Sequence, residues 1–101
     1  MKSIKSKSEY KTIYKQGKRY GTAVGQIFVL PADEYKVGIV VNRQIGNAVK
    51  RNRIKRRIKE ALRKQKIKAE ILVKANKAVD NLKFQEIEEA IKSCIMKAKN
   101  D

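Results

Sequence analysis

Hydrophobic and polar positions along this chain switch between two periods, and each switch marks an element. From Ser8 to Gly17, Tyr10, Ile13 and Tyr14 recur at i, i+3 and i+4, the spacing of one helix face. Ser6 or Ser8 offers an N-cap, and Gly17 stands where a left-handed C-terminal residue is expected. Two runs rich in β-branched and aromatic residues follow, Gln26 to Leu30 and Lys36 to Val41. Residues 31–35 separate them by a length that predicts an antiparallel hairpin. A long helix is then predicted from Asn47, a good N-cap residue, to about Lys64, with no Pro or Gly inside it. Its apolar stripe is Ile54, Ile58, Ala61 and Leu62, and Asn52, Arg56, Lys59 and Arg63 line up opposite. Glu70 to Ala75 reads as a strand. Asp80 or Asn81 then caps a last helix with a core-facing stripe of Phe84, Ile87, Ile91, Ile95 and Ala98. The coarse order is α-β-β-α-β-α, with no internal repeat, linker or low-complexity segment.

Composition decides that these elements fold. The chain has 101 residues, enough for a single domain over 1–101 with one modest core. Its 42% hydrophobic residues are arranged periodically, with one Pro and five Gly, which opposes disorder despite 36% charged residues. Charge then points to a partner. Lys and Arg number 26 against 10 Asp and Glu, a formal charge of +16. Residues 43–68 carry twelve basic and one acidic side chain, whereas 69–101 carry six of each. A local field of one sign attracts a polyanion by neutralising phosphates and releasing counterions.

Other chemistry is removed. There is no His, so the commonest general base and zinc ligand are missing. One Cys excludes an intramolecular disulfide and a multi-cysteine metal site. No apolar run approaches the ~20 residues that span a bilayer. The opening MKSIKSKSEY lacks the apolar stretch of a secretory signal, so the expectation is a soluble cytoplasmic protein.

The strongest local signal is Gly46 to Glu60, where seven of the ten residues from Lys50 to Lys59 are basic. Like charges at i, i+4 repel, so this helix needs an offset, and bound phosphates would supply one. A solvated face, or a basic amphipathic helix for a membrane or a calmodulin-like partner, is the other reading. The absence of Trp and of bulky apolar surface weighs against it. Tyr10, Tyr14 and Phe28 lie near Lys11, Lys15, Lys18 and Arg19 and could stack unpaired bases. Their spacing alone suits core packing better. Cys94, between Ile91 and Ile95, reads as a small hydrophobe. Glu86, Glu88 and Glu89 complement a helix dipole. Nothing assembles an acid–base or nucleophilic site, so no catalytic residue is assigned.

The run GNAVKRNRIKRRIKE, with its Arg51-Asn52-Arg53 triplet, resembles the signature of the bacterial ribonuclease P protein subunit. The resemblance covers nearly the whole chain. The family's F-x-x-V-F and following Gly match Tyr10 to Tyr14 and Gly17, and its V-G-hydrophobic strand matches Val37 to Val41. It implies an α+β fold, a two-layer α/β sandwich with room for one more short strand or helix. It also implies a left-handed β-α-β crossover, as in the second domain of a small-subunit ribosomal protein, where general rules give a right-handed one.

By the same resemblance, the protein is the non-catalytic component of the ribonuclease P endonuclease. It binds the catalytic RNA and the 5′ leader of precursor tRNA, while the RNA cuts with Mg2+. No membrane and no obligate protein partner is implied. Arg43, Asn47, Lys50, Arg51, Asn52, Arg53 and Arg56 would face the catalytic RNA. Tyr10, Tyr14, Phe28, Lys55 and Lys59 would line the leader cleft. Two positions depart from the family. Gln44 replaces one of a basic pair and Asn76 stands where an Arg is common, with Arg43 and Lys77 as neighbouring stand-ins. The alternative is a generic ribosomal-type or chaperone-like RNA binder using the same helix.

Overall fold

A computed structural model of the chain describes residues 1–100. Five strands, β1 (Lys2–Ser3), β2 (Lys18–Gly21), β3 (Gly25–Pro31), β4 (Lys36–Val41) and β5 (Ala69–Ala75), form one sheet in the order β1-β4-β5-β3-β2. The helices are α1 (Lys7–Gln16), α2 (Ala48–Arg63) and α3 (Phe84–Asn100), with short 3-10 helices at Arg43–Ile45 and Lys77–Asn81. The predicted α-β-β-α-β-α order is all present, with β1, β2 and the 3-10 helices added to it.

The expected hairpin between Gln26–Leu30 and Lys36–Val41 does not form. β5 lies between these strands, antiparallel to β3 and parallel to β4. The reason is burial. Ile71, Leu72 and Val73 are fully buried on alternating faces, so β5 is the strand that needs neighbours on both sides. β3 finds its hairpin partner in β2 instead, through Thr22 and Gly25, whose backbones exchange hydrogen bonds of 2.9 and 3.1 Å. Gly25 sits there at φ +142°, and a Cβ would collide with the Lys74 carbonyl. β2, sequence Lys18-Arg19-Tyr20-Gly21, is a sheet edge, where charged side chains are tolerated and discourage further pairing.

Alternation along the strands builds two cores. Ile27, Val29, Val37, Ile71 and Val73 meet Ile54, Ile58, Ala61 and Leu62 of α2 and Ile87, Ile91, Cys94 and Ile95 of α3. Phe28 and Leu72 point the other way, onto Ile13 of α1 and Ile4. The sheet and the α2–α3 layer thus make the sandwich, and α1 packs on the opposite face. Both predicted helix stripes are seated in the larger core, with Phe84 and Ala98 at its margin.

The helix ends show local chemistry. Ser6, and not Ser8, caps α1: its hydroxyl accepts from the Glu9 N–H at 3.1 Å, and the Glu9 carboxylate accepts from the Ser6 N–H at 3.4 Å. Gly17 is extended rather than left-handed, with φ −71° and ψ 148°. Its lack of a side chain serves space instead, because a Cβ would lie 2.5 Å from the Ile13 carbonyl oxygen. Asn47 caps α2 as expected, accepting from the Lys50 N–H at 2.9 Å. Neither Asp80 nor Asn81 caps α3; both lie in the preceding 3-10 helix, and the Lys83 N–H donates to the Glu86 carboxylate at 2.9 Å. Cys94 is buried in the larger core, which pushes its thiol pKa up to about 11.

Candidate nucleic-acid interface

β1 ends at Ser3 and pairs only with Lys36 and Val37, so the rest of the β4 edge has no strand beside it. Helix α1 packs on one face of the sheet and α2 on the other, and between them they border that open edge. The result is a groove of about 680 Å3. Tyr10, Val37, Gly38 and Ile39 contribute its apolar surface, and Asn52, Lys55, Arg56 and Lys59 its polar side. The helical spacing 52, 55, 56, 59 puts these four on one flank of α2. Val49, 76% exposed in the first turn, also borders the groove.

The three aromatics are separated by depth. Tyr10 is half-buried in the groove, and its hydroxyl donates to the Ile4 carbonyl at 3.4 Å. Tyr14, one turn later, is 41% exposed and meets the Phe28 ring edge-on, with centroids 4.9 Å apart and planes at 77°. Partial burial, and secondarily Tyr10, raises the Tyr14 pKa above the usual phenol value. Phe28 is only 7% exposed and belongs to the smaller core. Of the aromatics expected in a leader cleft, Tyr10 borders this groove with Lys55 and Lys59, while Tyr14 and Phe28 do not.

The cations of α2 also divide. Lys50 Nζ lies 2.9 Å from Asp80 Oδ2, and Arg53 Nη2 lies 3.2 Å from Asp80 Oδ1. Arg57 donates to the Leu82 carbonyl at 2.6 Å, and Arg63 pairs with Glu60 at 3.4 Å. Among the described residues, Arg51, Lys55, Arg56 and Lys59 have no ion pair. Arg43 is exposed in the first 3-10 helix, and the Asn47 side chain is engaged as a cap. Bonds from Lys50, and then from Arg53, hold the Asp80 carboxyl below its usual range.

Gln44 and Asn76, the two departures noted above, come together in a smaller depression of about 330 Å3 with Lys74 and Lys77. Gly38, Ile39, Val49 and Asp80 were not singled out from the sequence as interface residues. Only the Val-Gly pair ahead of the basic helix hinted at any of them, since a Gly inside a strand marks a close approach. Among the described residues, no three His, Cys, Asp or Glu come together to hold a metal ion. No described helix is long and apolar enough to cross a membrane.

A sequence-family model described as Ribonuclease P matches residues 1–99. The chain belongs to the ribonuclease P protein family. It is 34% identical over 101 residues to the ribonuclease P protein component of Clostridioides difficile (strain 630), covering 93% of this chain and 89% of that one. With the corresponding component of Staphylococcus carnosus (strain TM300) it shares 32% over 102 residues, covering 95% and 89%. The solved RNase P protein of Staphylococcus aureus superposes with a TM-score of 0.84 at 26% identity, over 98% of this chain and 96% of that one. The RNase P protein of Thermotoga maritima has the same fold, with a TM-score of 0.80 at 22% identity, covering 93% and 94%. This chain is therefore a protein subunit of ribonuclease P, one part of an enzyme complex of tRNA processing. For a ribonuclease P protein, the groove and the unpaired cations beside it are the surface to explain.

Proposed function

We propose that this subunit docks on the catalytic RNA of ribonuclease P through α2 and its approach, and holds the 5′ leader of precursor tRNA in the groove. The observation that carries the reading is the meeting of Tyr10 with Asn52, Lys55, Arg56 and Lys59 around one open groove. A single-stranded leader needs a cationic track for its backbone and an aromatic face for a base, and tolerates sequence variation if both are generic. Arg43, Lys50, Arg51, Arg53 and Arg56 would meet phosphates of the catalytic RNA, arginine by paired donors and lysine as a point charge.

The chain's own part is positional. It neutralises phosphate repulsion between two RNAs and fixes the leader beside the cleavage point. The bond-breaking step belongs to the RNA, where magnesium supplies charge stabilisation. Among the described residues, no three His, Cys, Asp or Glu side chains come together to hold a magnesium ion, and Asp80 and Glu60, beside the basic helix, are already engaged by cations. The complex would work in the cytoplasm.

Reconstitution tests this. The purified chain added to a bacterial ribonuclease P RNA at low magnesium should restore removal of the leader. Binding should be tighter for precursor than for mature tRNA once the RNA is present. Failure with several such RNAs, alongside intact RNA affinity, would favour a generic RNA binder.

A further inference from the structure

Asp80 is a carboxylate through which another element grips the N-terminal half of the basic helix, while Glu88 of α3 holds Lys64 at its far end. Its two oxygens take Lys50 and Arg53, which stand three residues apart on the flank of α2 turned toward the second 3-10 helix. The groove flank, with Lys55, Arg56 and Lys59, meets no carboxylate among the described residues. The two flanks therefore present different electrostatics. A cation sharing a carboxylate draws an arbitrary phosphate less strongly than a free one, because the phosphate must displace the carboxylate. The same bonds hold the two long side chains in one orientation, so less freedom is lost when a phosphate of matching placement arrives.

We propose that Asp80 is a positioning residue that sets RNA selectivity, restraining Lys50 and Arg53 against arbitrary polyanions while presenting them to an RNA of matching shape. This rests on reading α2 as the face toward ribonuclease P RNA. Selectivity is a difference of two affinities, and Asp80 lowers the unwanted one.

The test compares the full chain with Asp80→Asn and Asp80→Glu, using a ribonuclease P RNA transcript and poly(U) as probes across a potassium chloride series. Asp80→Asn should bind poly(U) about three- to tenfold tighter at low salt. Its log–log salt slope should steepen by up to ~0.7 for each cation released. The gain on ribonuclease P RNA should be smaller, so the preference between the two RNAs falls, and Asp80→Glu should restore it. A purely structural role would lower the melting temperature and leave the slope alone, which overturns the proposal. Equal gains on both RNAs would overturn it as well. If Asp80→Asn does not fold, Lys50→Met with Arg53→Met replaces it. That pair should cost ribonuclease P RNA more affinity than poly(U), and equal losses count against the idea. An unsubstituted chain that binds both probes alike would instead sink the functional reading beneath it.

Discussion

The Tyr10 ring lies against the backbone of Gly38, so close that a Cβ there would stand 3.0 Å from Cε1 and 3.1 Å from the phenolic oxygen. Leu72 closes the same space from below, with its Cδ1 at 3.3 Å from that point. A residue without a side chain in mid-strand is thus the seat on which the groove's aromatic rests.

Gly38→Val should displace Tyr10 while the chain still folds, since overpacking of this kind costs about 1–3 kcal/mol. In the reconstituted complex the preference for precursor over mature tRNA should fall several-fold, with a smaller fall for Gly38→Ala. Undiminished preference in a folded Gly38→Val chain would show that Tyr10 does not act from this seat.

Tyr14 and Phe28 touch, yet their substitutions should separate. Phe28→Ala empties a buried site and should destabilise the fold by about 3–5 kcal/mol in denaturant titrations. Tyr14→Ala removes a partly exposed ring and should cost less, the edge-on contact of about 0.5–1.5 kcal/mol and the burial of its covered part. If bases stack on the exposed face of Tyr14, its loss should weaken precursor binding by ~1–3 kcal/mol. Comparable unfolding by both substitutions would make Tyr14 a packing residue alone.

Lys55, Lys59 and Arg57 lie on one helix but should answer to different assays. Lys55→Ala and Lys59→Ala should each flatten the salt slope of RNA binding by ~0.7–0.9 and leave the melting curve nearly unchanged. Arg57→Ala should do the reverse, because its guanidinium closes the Leu82 carbonyl; losing such a charged hydrogen bond costs about 1.5–3 kcal/mol. Salt titrations and thermal melts on the same preparations check both directions.

Glu9 and Lys36 join α1 to β4 at 3.2 Å, beside the groove. The Lys36 bond, and then the Ser6 bond, lower the Glu9 pKa from its ordinary 4.5, while Glu9 raises that of Lys36. A lowered carboxyl pKa stabilises the fold above the unfolded value, and that contribution disappears as pH falls through the folded value. The raised lysine pKa acts at the other end, its contribution being lost as pH rises past about 10.5. Glu9→Gln should therefore flatten the fall in melting temperature between about pH 5 and pH 3. An unchanged acid limb would mean that the pair adds nothing measurable.

Much of the fold was legible along the chain. The stripe Ile54, Ile58, Ala61 and Leu62 announced α2, and Asn47 announced its start, because helix periodicity and capping are local properties. Pairing was not legible in the same way. Gln26 to Leu30 and Lys36 to Val41 were readable as strands, but a short connection could not reveal that β5 would enter between them. β2 was missed because an edge strand can be as polar as a loop.

The site divides along the same line. The reading that places the candidate site on the basic helix came from the concentration of charge and the Arg51-Asn52-Arg53 run, which are properties of sequence alone. Which of those cations are free did not, since Asp80 lies 27 residues from Arg53 and the Leu82 carbonyl 25 from Arg57 along the chain. Neither did the Tyr10 seat on Gly38. The sequence by itself determined the three helices and three longer strands, the polyanion-seeking charge and the family. Only the tertiary structure decided which side chains share a groove and which hold one another, because those depend on contacts between elements that no local period encodes.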